Sequence, residues 1–397
     1  MSQVLKTKIL VLSFWTPPLI RPRAILIGKM IPEWIRQGIS PVIVTYDNSG
    51  EWNINVPIYK IPILNSIKGI WGNFLSRNFN EYLYYRRLFK QVKNIIKERN
   101  IEVVFSFSNP QASNILGAMI RKKLGIKFIS HFSDPWYDNP YKSFSGMGAR
   151  KVLFLEKFII KNSDSIIFTN FQALDLVMKK YPNSWKKKAT VISHSYNPKE
   201  YPEDDHKIKD EFVISHIGAF YKERNPEMLF QALSLLKKNK GFLKFKIKLI
   251  GGINQYTGYS EQKLKDLVKT YNLEKETEIF SSVDYQESLR QMMISDCLVV
   301  IDANFFPSPF LPSKVVDYAG ARKIIIGITP KGSPTDDFLS NLGFKTFSYG
   351  KIKEMTDYLE NLINKKEKVM INDKFLKKYE IENTTRDLIN IFKEVLK

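Results

Sequence analysis

The sequence predicts an α/β protein made of two successive parallel-sheet domains, and three observations predict it. Short apolar runs of strand length alternate with amphipathic helical stretches along almost the whole chain, and such alternation implies parallel sheets covered by helices. At 397 residues the chain is long for a single core. The alternation pauses once, at the polar stretch KEYPEDDHKIKDE, and then starts again from a strand. The expected layout is a first domain over 1–198, a linker over 199–211, a second domain over 212–370, and a C-terminal helix over 371–397 that could cross back to the first domain.

The first domain opens with strand ILVLSFW, loop TPPLIRPRA, a helix over about Ala24 to Gln37, Gly38 and strand PVIVTYD. The basic start and apolar run imitate a signal peptide. No small-residue cleavage site follows, however, and Thr16-Pro17-Pro18 ends the run, so it reads as a buried strand. A Gly-x-Gly-x-x-Gly turn is missing after this strand, which argues against a simple nicotinamide dehydrogenase. In its place the loop offers Arg21 and Arg23 at the strand's carboxyl end, where open α/β sheets bind ligands. They suit phosphate recognition, or are merely solvated.

Between Ile67 and Arg99, aromatics (Trp71, Phe74, Phe79, Tyr82, Tyr84, Tyr85, Phe89) interleave with Arg and Lys. Two readings stay open: a helix lying in a membrane interface, or an ordinary helix burying its aromatics in the core. Charge bears on the choice. The chain carries a formal +21; residues 1–200 hold 30 Lys/Arg against 12 Asp/Glu, and residues 201–397 hold 31 against 28. The positive field of the first half fits nucleic acid, an anionic membrane, an anionic substrate, or no partner at all. No zinc spacing or RNP-type signature supports nucleic acid, so none is expected. The longest uncharged run, Val103 to Ile120, is broken by Asn109-Pro110-Gln111, and no transmembrane helix is expected. The single cysteine, Cys297, cannot form an internal disulfide and fits a reducing compartment.

Next come strand EVVFSFSNP, helix ASNILGAMIRKKLG, and IKFISHFSDPWYDNP, a strand running into a loop. This loop gathers His131, Asp134, Trp136 and Asp138. Asp134 or His131 could help a proton leave an acceptor hydroxyl; equally, Asp134 before Pro135 is a turn former and His131 a core residue. A helix around Leu153 to Lys161, strand SIIFTN, a helix from Phe171 and strand KATVISHS complete the domain.

The second domain begins with strand FVISHIG, closed by Gly218. A helix follows with Asn225 as N-cap and Pro226 at its first position, and Arg224 stands just ahead of that start. Strands LKFKIKLIGG, EIFSSV, CLVVIDA and KIIIGI then alternate with helices. In FFPSPFLPSKVVDYA, residues 305–319, the prolines hold an extended loop and Pro312-Ser313 open a helix. Ser313 and Asp317, four apart, share one face of it. Diphosphate oxygens suit the helix N-terminus and Ser313, while a carboxylate one turn on suits two ribose hydroxyls. A capped surface helix with a solvated Asp is the plainer reading.

Three segments carry a family resemblance: HIGAFYKERNPEMLFQAL, LPSKVVDYAGARKIIIG and HFSDPWYDNP. They resemble the donor-binding motifs and the Asp-x-Trp loop of GT-B glycosyltransferases of the retaining glycogen-synthase-like group, in its bacterial cell-surface polysaccharide branch. The resemblance implies two Rossmann-like parallel-sheet domains facing across a cleft, with C-terminal helices. It implies a hexosyl- or N-acetylhexosaminyltransferase that moves a sugar, with retention, from a nucleoside-diphosphate sugar to a cell-envelope polysaccharide or lipid-linked glycan acceptor.

Residue by residue, the resemblance places Arg224, Ser313 and Lys314 on the pyrophosphate, with Tyr221 and Pro312 alongside. Asp317 would hold the ribose, and Gly218 would let the donor approach the backbone. Arg224, Asp134 and His131 would be catalytic, and Arg21, Arg23 and Trp136 would form an acceptor or phosphate loop. Two departures stand out: the first acid of the donor motif falls at Pro309, and Ala219 replaces a basic residue. No Asp-x-Asp occurs in the chain, so no metal or other cofactor is expected. The implied setting is cytoplasmic, peripheral on the inner face of an anionic membrane. A sugar-nucleotide epimerase of the same fold and a non-catalytic donor-binding partner subunit are the alternatives.

Overall fold

The computed structural model describes residues 7–62, 74–203, 211–239, 243–251, 259–364 and 370–397. It divides into two compact units: residues 1–193 with 381–397, and residues 194–380.

Unit 1 is built on strands β1 (Lys8–Leu12), β2 (Ser40–Tyr46), β3 (Ile58–Ile61), β4 (Val103–Phe107), β5 (Lys127–Phe132), β6 (Ser165–Phe168) and β7 (Ala189–Val191). Its helices are α1 (Pro22–Arg36), α2 (Phe74–Arg99), α3 (Ala112–Leu124), α4 (Gly146–Asn162), α5 (Phe171–Met178) and α6 (Asn183–Lys186). The strands form one sheet in the order β3-β2-β1-β4-β5-β6-β7, every pair parallel.

Both faces of this sheet are covered, which is why the strands read as unbroken apolar runs rather than alternating ones. Leu10, Val44, Val104, Phe128 and Ile166 face α2, α3, α4 and α5. Ile9, Ile43, Phe105, Ile129 and Ile167 face α1 on the other side. The chain's last helix belongs here too: Phe392 meets Trp34 of α1 edge-on, with ring centroids 6.0 Å apart.

Unit 2 carries β8 (Phe212–Ile217), β9 (Phe245–Ile250), β10 (Thr277–Phe280), β11 (Cys297–Ile301), β12 (Ile324–Ile328) and β13 (Lys345–Phe347), ordered β10-β9-β8-β11-β12-β13 and again all parallel. Its helices are α7 (Glu227–Asn239), α8 (Glu261–Thr270), α9 (Tyr285–Met293), α10 (Ser313–Gly320), α11 (Pro334–Leu342), α12 (Ile352–Ile363) and α13 (Asp373–Leu376); α14 (Ile381–Leu396) is the helix that returns to unit 1. In each unit the strand order reverses beside the first strand, leaving a switch point at the carboxyl ends of β1 and β4, and of β8 and β11. Open α/β sheets bind ligands at such points.

Several elements differ from expectation. β3 was not foreseen, because Pro57 and Pro62 bracket a four-residue run that looks like loop; an edge strand tolerates both. α4 starts at Gly146, well ahead of Leu153, since two glycines hide its first turn. The segment PKGSPTDDFL, to which the sequence pattern assigned no element, opens α11, capped by Ser333, whose side chain accepts from the Asp336 amide. The units divide at 193/194 and 380/381, where expectation had 198 and 371. Tyr196 explains the shift: it is buried in unit 2, and its amide donates to Tyr379 O at 3.0 Å.

Residues 204–210 of the expected linker, and Trp71 of the aromatic segment, lie outside the described residues. In the described part of that segment, Tyr85, Leu88 and Val92 are buried, and Tyr84 and Phe89 pack against the core. Of the named aromatics whose side chains are described, only Tyr82 is exposed. The core reading of α2 therefore describes what its aromatics do.

Candidate functional site

At the switch point of unit 2, four charged or titratable side chains from four separate segments converge above Gly218. The segments are β8, the loop after it, the residue following β11, and the start of α10. Gly218 directly follows β8 with φ +139°, a conformation that side chains rarely adopt. A Cβ there would sit 2.2 Å from Lys314 Nζ. The glycine therefore makes room for the lysine that α10 sends back across the strand end.

α10 is fixed in this position by Tyr318, whose hydroxyl accepts from the Ile217 amide at 2.7 Å and donates to the Ile217 carbonyl at 3.1 Å. Close packing at the far end of α10 depends on Gly320, where a Cβ would fall 2.3 Å from the Tyr201 hydroxyl and 2.4 Å from the Tyr196 ring.

Lys314 Nζ stands 3.4 Å from His216 Nε2. His216 Nδ1 is 2.9 Å from the Val299 carbonyl, so Nδ1 carries the hydrogen and Nε2 presents its lone pair to the lysine. Burial, followed by the nearby Lys314, holds the imidazole well below its usual value and keeps it neutral. Burial and Arg224 push the Lys314 ammonium down to about 7, with Asp302 opposing them.

Arg224 Nη2 lies 3.9 Å from Asp302 Oδ1, and its guanidinium sits over the Tyr221 ring, 5.5 Å from the centroid. Tyr221 and Arg224 close a tight turn, each donating its amide to the other's carbonyl at 2.9 and 3.1 Å. Asp302 is 1% exposed and accepts from Thr329 Oγ1 at 3.0 Å. Burial raises its pKa, against the pull of Arg224. Two cations thus share one buried acid, and a pocket of this charge is suited to receiving an anion.

Of the expected donor residues, Gly218, Tyr221, Arg224 and Lys314 are brought together. Ser313 is the first residue of α10, half-buried, with Pro312 in the preceding extended position. Pro309 is buried in the loop before it. Asp317 lies one turn further along the helix, 6% exposed, and its Oδ1 accepts from the Tyr285 hydroxyl at 3.2 Å. Its backbone carbonyl accepts from Tyr201 at 2.7 Å. His216, Asp302 and Tyr285 were missed from the sequence. Asp302 left one signal, an acid directly after an all-apolar strand. His216 left none, being one of two polar residues, with Ser215, in an otherwise apolar strand.

In unit 1 the expected residues separate. Arg21 is exposed and lies over the Trp15 ring at 4.6 Å. Arg23 turns inward, 7% exposed, 4.9 Å from the Phe107 centroid and donating to Ser133 Oγ. Burial lowers its pKa to about 10, with Asp134 acting against it. Arg23 therefore braces the loop after β5 from inside. Asp134 is half-buried and accepts from Asn109 Nδ2 at 3.0 Å, linking the carboxyl ends of β5 and β4. Trp136 packs on the core. His131 is buried between Phe105 and Phe107, its ring 5.1 Å from that of Phe107, which is the setting of a core histidine rather than of one open to a hydroxyl.

The loop is stapled further along by fully buried Glu156. Its carboxylate accepts from the Tyr137 amide at 2.9 Å and the Tyr181 hydroxyl at 2.8 Å, and pairs with Lys180 at 3.0 Å. Among the described residues no three His, Cys, Asp or Glu side chains are grouped so as to hold a metal ion. No described helix is long and apolar enough to cross a membrane.

Residues 198–371 match the family described as glycosyl transferases group 1. No protein of curated function matches the chain in sequence. Solved structures resemble it over its whole length. Sucrose-phosphate synthase from Thermosynechococcus elongatus is 12% identical, with a TM-score of 0.73 over 98% of this chain and 99% of that one. Anabaena HepE in complex with UDP is 13% identical, TM-score 0.72, over 98% and 100%. WaaG, a glycosyltransferase involved in lipopolysaccharide biosynthesis, is 11% identical, TM-score 0.61, over 98% of each. The chain therefore has the fold seen in GT-B glycosyltransferase structures, and residues 198–371 of it are similar to glycosyl transferases group 1.

Proposed function

We propose that this protein transfers a sugar, of hexosyl or N-acetylhexosaminyl type, from a nucleoside-diphosphate sugar to a glycan or lipid-linked acceptor of the cell envelope, with retention of configuration. The observation that carries the reading is the convergence of Lys314 and Arg224 above Gly218 at the switch point of unit 2. Structures that resemble this chain hold UDP and UDP-glucose, which supports a nucleotide-sugar donor.

In this reading the diphosphate displaces the site's internal charge pairing. Arg224 leaves Asp302 for a phosphate oxygen, Lys314 takes the other side, and Ser313 offers its hydroxyl at the start of α10. As the bond from sugar to phosphate breaks, charge grows on the leaving diphosphate. Fixed cations already aimed at that position stabilise it without reorganisation. Asp317, oriented by Tyr285, accepts from the ribose hydroxyls.

No metal is required by this arrangement, because two side-chain cations carry the neutralisation. Unit 1 takes the acceptor at the loop after β5 that Arg23 and Glu156 brace, with Asp134 as the polar group the loop offers and Arg21 and Trp136 as further acceptor contacts. A donor phosphate oxygen on the attacked face can receive the acceptor's proton. The implied location is cytoplasmic, against the inner face of the membrane.

A thermal-shift panel of nucleoside diphosphates tests the donor site. A ligand that binds only the folded protein raises the melting temperature, by about 2.7 kcal/mol of added stability at a hundredfold excess over Kd. At least one base is expected to do so, and Arg224→Ala to abolish the shift. If none does, or the variant responds as wild type, the donor site is wrong. Labelled donor incubated without acceptor then separates a transferase, which hydrolyses it slowly, from an epimerase, which turns it over.

A further inference from the structure

The central strand pair of unit 2 opens early. β8 and β11 are paired only at Ile214 with Cys297 and Ser215 with Leu298, although β8 runs on to Ile217 and β11 to Ile301. Past the last pair, side chains take over the backbone groups. The Tyr318 hydroxyl bonds both the amide and the carbonyl of Ile217, and the Val299 carbonyl accepts from His216 Nδ1 at 2.9 Å. The imidazole therefore sits in the opening itself.

Its ring is fixed on a second side as well. It stacks on Phe220, with centroids 4.5 Å and planes 16° apart, and Phe220 is fully buried in the core that α7 covers. His216 is 1% exposed, so it is closed off from a bound nucleotide sugar. Its remaining group is Nε2, an acceptor once Nδ1 carries the hydrogen, and Lys314 Nζ stands 3.4 Å away. The charged groups around this lysine oppose one another: Arg224 repels it and Asp302 attracts it. A flexible stem with three rotatable N–H donors has no direction of its own. A rigid, neutral acceptor gives it one, and adds no negative charge to a site that must receive an anion.

We propose that His216 is a positioning residue of the nucleotide-sugar site: its Nε2 accepts one hydrogen of Lys314 and aims the ammonium over Gly218 at the diphosphate, while the imidazole touches no substrate. This rests on the donor reading given above and adds to it the group that directs the lysine. Val299 and Phe220 hold the ring, and the ring holds the lysine. The contact to Lys314 is long enough to persist while the other two hydrogens turn to phosphate oxygens.

Two substitutions separate this role from that of a ring filling the opening. In His216→Asn the side-chain amide lies near the position of Nδ1, which keeps a donor for Val299 and withdraws the acceptor from Lys314. In His216→Gln the amide reaches the level of Nε2, which restores the acceptor and gives up the Val299 bond. Calorimetry at pH 6 with UDP, GDP and ADP reads affinity, and melting without ligand reads stability. His216→Asn is expected to bind about tenfold more weakly than wild type, the contribution of one hydrogen bond to a charged group, and His216→Gln to recover most of that loss. A filling role gives the reverse order, with His216→Gln the weaker in both affinity and melting temperature.

Lys314→Met removes the dependence on folding losses. In that background His216→Asn should change affinity by less than about twofold, because the group it aims is gone. Equal weakening in both backgrounds, the reverse order of the two variants, or His216→Asn binding like wild type overturns this inference and leaves the donor site standing. Wild type that binds none of the three nucleotides overturns the donor reading, and this inference with it.

Discussion

The titration of Lys314 gives the donor site its sharpest test. In the empty protein this ammonium is held at about 7, by burial first and Arg224 second, with Asp302 opposing. The groups that face it are His216 from β8, held neutral, Arg224 from the following loop, and Asp302 after β11. A bound diphosphate adds negative charge beside Lys314 and should return it toward the ordinary lysine value of about 10.4.

The sign then follows from linkage. Below pH 6 the lysine is protonated in both states and contributes no pH dependence. Above about 7 the empty site has lost the proton and binding must take one up, so affinity falls about tenfold per pH unit, reaching about thirtyfold at pH 8.5 relative to the acid plateau. A nucleotide sugar is the right probe, because its diphosphate diester lacks the ionisation near pH 6 of a terminal phosphate. Calorimetry at pH 6, 7, 8 and 8.5, repeated in buffers of different ionisation enthalpy, should show nearly one proton taken up at the alkaline end. Lys314→Met should bind more weakly at pH 6 and show a much flatter profile. Affinity that stays level from pH 6 to 8.5 in wild type, or an equal slope in Lys314→Met, would refute the role given to this lysine.

Other expectations follow from the same contacts. A folded-state lysine pKa below its unfolded value favours the protein as pH rises from about 7 toward 10, so Lys314→Met should raise the ligand-free melting temperature most at pH 6 and by less than half as much at pH 9. Gly218→Ala forces a side chain into φ +139° and onto Lys314; about 1–3 kcal/mol of stability should be lost in a denaturant titration, together with the nucleoside-diphosphate response. Tyr285→Phe removes one hydrogen bond to Asp317, and nucleotide affinity should fall about fivefold with little change in stability. Glu156→Ala leaves the Tyr181 hydroxyl and the Tyr137 amide without their buried acceptor, while Lys180 keeps Asp138; it should destabilise the protein by about 1–3 kcal/mol, and the folded fraction still binds nucleoside diphosphate.

Much of this architecture was legible because parallel strands buried on both faces leave an unmistakable print. Runs such as ILVL and LVVI, separated by helix-length stretches with glycine stops, admit few other readings. The approach of α10 to the donor residues was legible as well, since Pro312 cannot lie inside a helix and Ser313 suits its start. β3 escaped notice because an edge strand needs so little: four residues and one paired side suffice.

The chain's local pattern by itself determined two parallel-sheet domains and the candidacy of Arg224 and Ser313, each at a helix start, as neighbours of a phosphate; the family resemblance added Gly218 and Lys314. Tertiary structure alone decided what those groups face. Asp302 and His216 acquire meaning only when β8 and β11 lie side by side and bring them under Lys314, and Arg23 and His131 lose their expected openness only when the aromatic rings of β4 pack against them. Periodicity records which side of an element is buried. It carries nothing about which distant residue waits there, and a buried charge takes its chemistry from that neighbour.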